Sequence, residues 1–142
     1  MDPLSVIASI AGISQAGTAL SKAIFKIVFA VRNAPKEAHN IAKAVGDLSI
    51  ALGELRRILR DGRNIIKRRL LRRVSSAVRR IRDVHGEIET LLNVATGAAR
   101  LAWAFRRSKC SALLQQIDGY RVGINMILHT ITLALQLKLL AK

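Results

Sequence analysis

The chain is poor in several things that would otherwise set its chemistry: one cysteine, two prolines, 4% aromatic residues and nine carboxylates among 142 residues. With Cys110 alone, no intrachain disulfide can form, which fits a reducing compartment. His39, His85 and His129 lie far apart, and none has a second His or Cys at metal-ligand spacing. Neither a G-x-G-x-x-G after a strand nor a G-x-x-x-x-G-K-[ST] occurs, so no nucleotide cradle is expected. Lys109 and Arg107 flank Cys110 and would lower its pKa, but no base partner can be placed beside it. The carboxylates mostly have basic residues at helical spacing, as Glu54 has Arg57 and Asp83 has Arg79 and Arg80; such pairs are weak surface contacts. The expectation is no enzyme, no metal and no cofactor.

What is abundant is positive charge and aliphatic surface. Basic residues number 24, for a net charge of +15, and 51% of the chain is hydrophobic. The mean hydropathy of +0.26 is high for a soluble protein. Such a charge excess attracts polyanions: anionic lipid headgroups, nucleic acid or an acidic protein. Half of the basic residues fall between Arg56 and Arg82, where twelve cations face the single carboxylate Asp61. Within the block, Arg68, Arg72 and Arg79, and likewise Arg69, Arg73 and Arg80, recur at helical spacing. They predict a cationic edge that binds anionic lipid.

Apolar residues repeat at spacings of 3 and 4 in four stretches, with no strand pattern. The first runs Val6, Ile10, Ile13, Gly17, Leu20, Ile24, Ile27, Val31. The second starts near Pro35 and runs from Ala38 to Leu59, ending at Asp61–Gly62, where Gly would enter the left-handed region. The third carries Leu70, Val74, Ala77, Ile81, Val84, Ile88, Leu91 and Ala95 and stops near Gly97. A linker follows, Ala98–Lys109. Ser108 then caps a last helix with Leu113, Ile117, Tyr120, Ile124, Ile127, Ile131 and Ala134. The expected fold is all-α: one domain, 1–142, an up-down four-helix bundle with a short extra helix in the linker. Gly46 and Gly53, seven apart, are expected where a neighbouring helix approaches closely.

Residues Pro3 to Ser21 carry no charge. This is 19 residues, about 28 Å at ~1.5 Å per residue, close to the ~30 Å of a bilayer's hydrocarbon core. Asp2 precedes it where a secretory peptide has Lys or Arg, and Asp2–Pro3 reads as a helix start, so a retained first helix is expected. Lys22, Lys26 and Arg32 stand at its far end, and Ala8, Gly12 and Ala16 form a small-xxx-small ladder. In the linker, Trp103 and Phe105 beside Arg106 and Arg107 suit a bilayer interface. The last helix, apolar from Val122 to Leu137, is expected in the core. Nucleic acid is the competing ligand for the arginines, but so few aromatics and no recognition motif argue against it.

The opening MDPLSVIASIAGISQAG, the NAPKEA step and the later LAWAFRRSKCSALLQQIDGYRVGINMIL are similar to the N-terminal HeLo-like domains of fungal STAND/NACHT-type, NLR-like proteins. The block from Arg56 to Arg82 is more basic than that family's pattern. The resemblance implies a cytoplasmic bundle acting in programmed cell death, fungal innate immunity and heterokaryon incompatibility, which relocates to the plasma membrane or another membrane. It puts membrane insertion and oligomerisation on Leu4, Ile7, Ala8, Ile10, Gly12, Ile13 and Ala16, and a linker role on Trp103. It implies as partners anionic lipid, further copies of the chain, and an upstream or C-terminal receptor module. Two other readings stay open: a soluble bundle that docks on a like domain or a receptor, and a basic bundle that binds nucleic acid without specificity.

Overall fold

The computed structural model describes residues 2–95 and 97–141. Five helices follow in order: α1 (Pro3–Ala30), α2 (Lys36–Asp61), α3 (Arg68–Val94), the short α4 (Ala98–Ala104) and α5 (Arg107–Leu140). This is an up-down, all-α bundle, with α4 in the linker before the last long helix.

Local chemistry sets some of the ends. The Asp2 carboxylate accepts the Leu4 N–H at 3.2 Å, and Pro3 occupies the first helical position without wasting a donor. Asn33, with φ of 59°, turns the chain from α1 into α2; Asn tolerates the left-handed region better than most residues. Gly62 ends α2 for a different reason from the one expected. Its φ is −103°, and its N–H bonds the Ile58 carbonyl at 2.9 Å. A Cβ there would lie 3.3 Å from that carbonyl and 3.3 Å from a Leu135 methyl, a tight fit, so what favours glycine here is crowding and not handedness. Gly97, with φ of +125°, is the left-handed glycine of the chain. Ser108 lies inside the first turn of α5, and Arg106 is the N-cap, without a side-chain bond.

α1 and α5 each pack on both α2 and α3. Ser14 opposite Ser49 and Ser21 opposite Ala42 make α1 antiparallel to α2. Lys109 bonds Glu87 at 2.6 Å at one end of the bundle, and Leu135 reaches Gly62 at the other. α5 therefore runs parallel to α2. The N-terminus of α1, the α2–α3 turn and the C-terminus of α5 all gather at one end.

The core is aliphatic, built from Ile10, Ile24, Ile41, Leu48, Leu52, Leu55, Leu59, Ile81, Ile88, Leu101, Phe105 and Leu113, all essentially inaccessible. The buried stripes are rotated slightly from those expected. Leu71 and Val78 are buried on α3 where Leu70 and Ala77 are half-buried, and Leu128 replaces Ile127 on α5. The proposed pairs of Glu54 with Arg57 and of Asp83 with Arg79 or Arg80 do not form. Among the described residues the ion pairs are Lys109–Glu87 and Arg121–Asp118.

Candidate functional site

α1 presents two unlike faces. Val6, Ile7, Ile10, Ile13, Leu20 and Ile24 point into the core. Leu4, Ala8, Gly12 and Ala16 are exposed, and nothing lies within 4 Å of where a Gly12 Cβ would stand. The seven residues assigned to insertion thus do not share a surface in the folded bundle. Ile7, Ile10 and Ile13 hold α1 in place, while the small-residue ladder is free.

The seam between α1 and α2 is polar and close. Ser14 Oγ donates to the Ser49 carbonyl at 2.9 Å, and Ser21 Oγ donates to the Ala42 carbonyl at 2.7 Å. Gly46 makes room for Ser21, whose Oγ would stand 3.1 Å from a Cβ at 46, in line with the close approach expected there; Gly53 is looser, with Ser14 Oγ at 3.8 Å. Deeper in the seam, Gly17 meets Ser49 and the His85 ring. Ser49 Oγ and both His85 ring nitrogens are buried without a hydrogen-bond partner. Desolvation holds the His85 pKa below its ordinary value, and the Glu89 charge offsets this in part. Cys110 does not behave as its basic neighbours suggested. Burial pushes its thiol up to about 11, Glu37 adds to the rise and Arg106 opposes it, so it is protonated at neutral pH. Among the described residues no group of three His, Cys, Asp or Glu could hold a metal ion.

Arg68, Arg69, Arg72, Arg73, Arg79 and Arg80 are all exposed on α3, whose buried residues Leu71, Val74, Val78, Ile81, Val84 and Ile88 occupy its other side. The remaining six cations of the block are exposed as well, and none of the twelve is in an ion pair among the described residues. In the linker the two aromatics separate. Trp103 is 64% exposed, with the Arg106 guanidinium 4.6 Å above its ring centre, a cation–π geometry. Phe105 is fully buried, so in the folded bundle it is a core residue and not a surface anchor.

The largest departure concerns α5. α1 and α5 are both long and apolar enough to cross a membrane, yet only 17% of the most apolar stretch of α5 is buried, against 39% in α1. Val122, Met126, Leu133, Leu137, Leu139 and Leu140 are exposed. The expectation of a core helix holds for one side of α5 only. The run from Val122 to Leu137 is apolar on more than one side, and composition alone does not say which of its apolar side chains face outward. Four of these side chains, Leu133 to Leu140, lie at the end of the bundle that also carries the cation-rich α2–α3 turn and exposed Leu4.

Comparison with protein-family models, with curated proteins and with solved structures finds no match to the chain.

Proposed function

We propose that this chain is a membrane-associating helical domain, a HeLo-like cell-death effector or signalling module of the kind its two ends resemble. Cations of the α2–α3 turn and of α3 would adsorb to anionic lipid. The exposed leucines of α5 would enter the interface, and α1 would then leave the bundle, insert and oligomerise through Ala8, Gly12 and Ala16. The observation that carries this reading is the juxtaposition of unpaired cations with unpartnered leucines at one end of the molecule.

Magnitudes decide the order of events. Six large aliphatic side chains of α1 are buried, and withdrawing them costs on the order of 10 kcal/mol at about 1.5–3 kcal/mol each. Six arginines near an anionic leaflet contribute roughly 6 kcal/mol at about 1 kcal/mol each. Adsorption alone therefore cannot expel α1; the helix must regain its burial in lipid within the same step. The location that follows is cytoplasmic at rest and membrane-bound when active.

Dye release from vesicles tests the reading. Vesicles rich in phosphatidylserine should leak and phosphatidylcholine vesicles should not. Gly12→Leu, which meets open space in the bundle and so keeps the fold, should bind vesicles but leak less. Equal leakage by wild type, Gly12→Leu and a chain lacking residues 1–21 would sink insertion through α1.

A second reading draws on the same side of α5. Val122, Met126, Leu133, Leu137 and Leu140 recur at spacings of 4, 7, 4 and 3, which suits an interhelical seam with another copy or a receptor. It expects discrete oligomers in lipid-free buffer by light scattering and no response to vesicles.

A further inference from the structure

A cavity of about 280 Å³ opens between the start of α3 and the last third of α5. Its apolar lining is Ile65, Ile66, Leu70, Ile131 and Ala134, joined by Thr130. Its remaining lining residues are Lys67, Arg69 and Arg73. A mainly apolar cavity whose lining includes three exposed cations is matched by an amphiphile: a hydrocarbon tail for the walls and an anionic head for the cations.

Three further observations agree on the sign of the head. None of the three cations has an ion-pair partner among the described residues. Asp61 is the single carboxylate in the surrounding block from Arg56 to Arg82. The cavity also sits at the N-terminus of α3, where Lys67 supplies no side-chain cap and the first-turn N–H groups and the helix dipole favour an anion. The size speaks to the tail. Small-molecule sites run from roughly 300 to 1,000 Å³, so this one suits a single chain of medium length better than a diacyl pair.

We propose that this cavity binds a single-chain anionic amphiphile, a medium-chain fatty acid in its carboxylate form, with the tail between α3 and α5 and the carboxylate on Lys67, Arg69 and Arg73. The proposal rests on reading the arginine block as anion-binding and narrows it to one site and one ligand class. It does not require α1 to move. Occupancy would pin the start of α3 to the leucine-bearing end of α5, so a bound fatty acid tunes the part of the molecule that meets lipid.

Calorimetric titration of the full chain with octanoate, decanoate and laurate below their micelle concentrations tests this. One-to-one binding is expected, tightening about three- to fourfold per added methylene until the cavity is full. Dodecanol should bind at least tenfold more weakly than laurate, because it brings no charge for the cations. Arg69→Gln with Arg73→Gln should weaken laurate by at least tenfold and leave dodecanol unchanged. Ala134→Trp, at an exposed position on the cavity wall, should abolish both while circular dichroism stays unchanged. Inorganic phosphate should not displace laurate. Laurate binding with no dependence on chain length, or equal binding of dodecanol and laurate, overturns the site. So does Ala134→Trp leaving binding intact. Vesicle adsorption measured on the same variants separates the two ideas: a chain that adsorbs to vesicles but ignores laurate loses this site and keeps the membrane reading, and the reverse result does the opposite.

Discussion

Gly17 on α1 lies directly against the His85 ring on α3: a Cβ at position 17 would stand 3.0 Å from Cε1 and would overlap Ser49 Oγ from α2. Three helices meet at that point, and glycine is what lets them. Gly17→Ala should therefore destabilise the bundle by about 1–3 kcal/mol through overpacking, a fall of several degrees in melting temperature. Gly12→Ala, on the open side of the same helix, should raise stability by about 0.5–1 kcal/mol. Thermal unfolding followed at 222 nm checks both, and equal effects at the two positions would contradict the packing described.

The same histidine makes stability depend on pH. Its folded pKa lies below the ordinary 6.5, chiefly through desolvation, so the unfolded chain takes up a proton more readily. Well above pH 6.5 the ring is neutral in both states and contributes no slope. As pH falls below 6.5 the unfolded state gains protons that the native state refuses, and stability drops until the lowered native pKa is reached. Urea unfolding of wild type should show this loss between pH 7 and 5, and His85→Leu should flatten it. The exposed His39 and His129 are present in both proteins, so the difference between the two curves reports His85 alone.

Cys110 should resist alkylation. A buried thiol with its pKa pushed up to about 11 presents almost no thiolate at pH 8. Iodoacetamide should label the urea-unfolded chain quickly and the native chain only at the rate of unfolding. Rapid native labelling would show that α4 or the start of α5 opens freely.

Adsorption to anionic vesicles should weaken with salt, since exposed charges are screened over about 10 Å at 0.1 M. Replacing Arg72, Arg79 and Arg80 by Gln should cost roughly 1 kcal/mol per residue in vesicle binding at low salt and little in folding stability. Cosedimentation with phosphatidylserine vesicles at 50 and 500 mM salt measures this. Unchanged binding would place the contact on apolar surface alone.

The helical architecture was legible in the sequence because four aliphatic stripes repeat at 3–4 spacing and because Asp2–Pro3 and Pro35 announce helix starts. The linker helix was legible too. What escaped depends on neighbours that spacing does not name. Gly62 looks in the sequence like a left-handed stop, yet its φ is negative and its close neighbour is Leu135, 73 residues away in sequence. Phe105 looks in the sequence like a partner for Trp103, but Trp103 lies in the last turn of a short helix and Phe105 is its C-cap, two residues on and on the opposite side, so one ring is exposed and the other buried. The charged neighbours of Cys110 in the chain point to a lowered pKa, whereas burial dominates its chemistry. Of the candidate site, the exposed arginines could be read from composition. The outward leucines of α5 and the cavity beside Lys67 could not, because both are created by where α5 ends relative to the α2–α3 turn.

The serine-lined seam has a consequence for the proposed release of α1. Ser9 and Thr18 already donate to carbonyls four residues back on their own helix, Ser5 and Ser14, at 3.0 Å each. Ser14 and Ser21 can do the same with Ile10 and Gly17 once parted from α2. The carbonyls they leave behind on Ser49 and Ala42 lie inside α2, whose own ladder serves them. If α1 were released as proposed, Ser9, Ser14, Thr18 and Ser21 would each have a carbonyl of their own helix to donate to, which lowers the cost of placing these four hydroxyls in hydrocarbon.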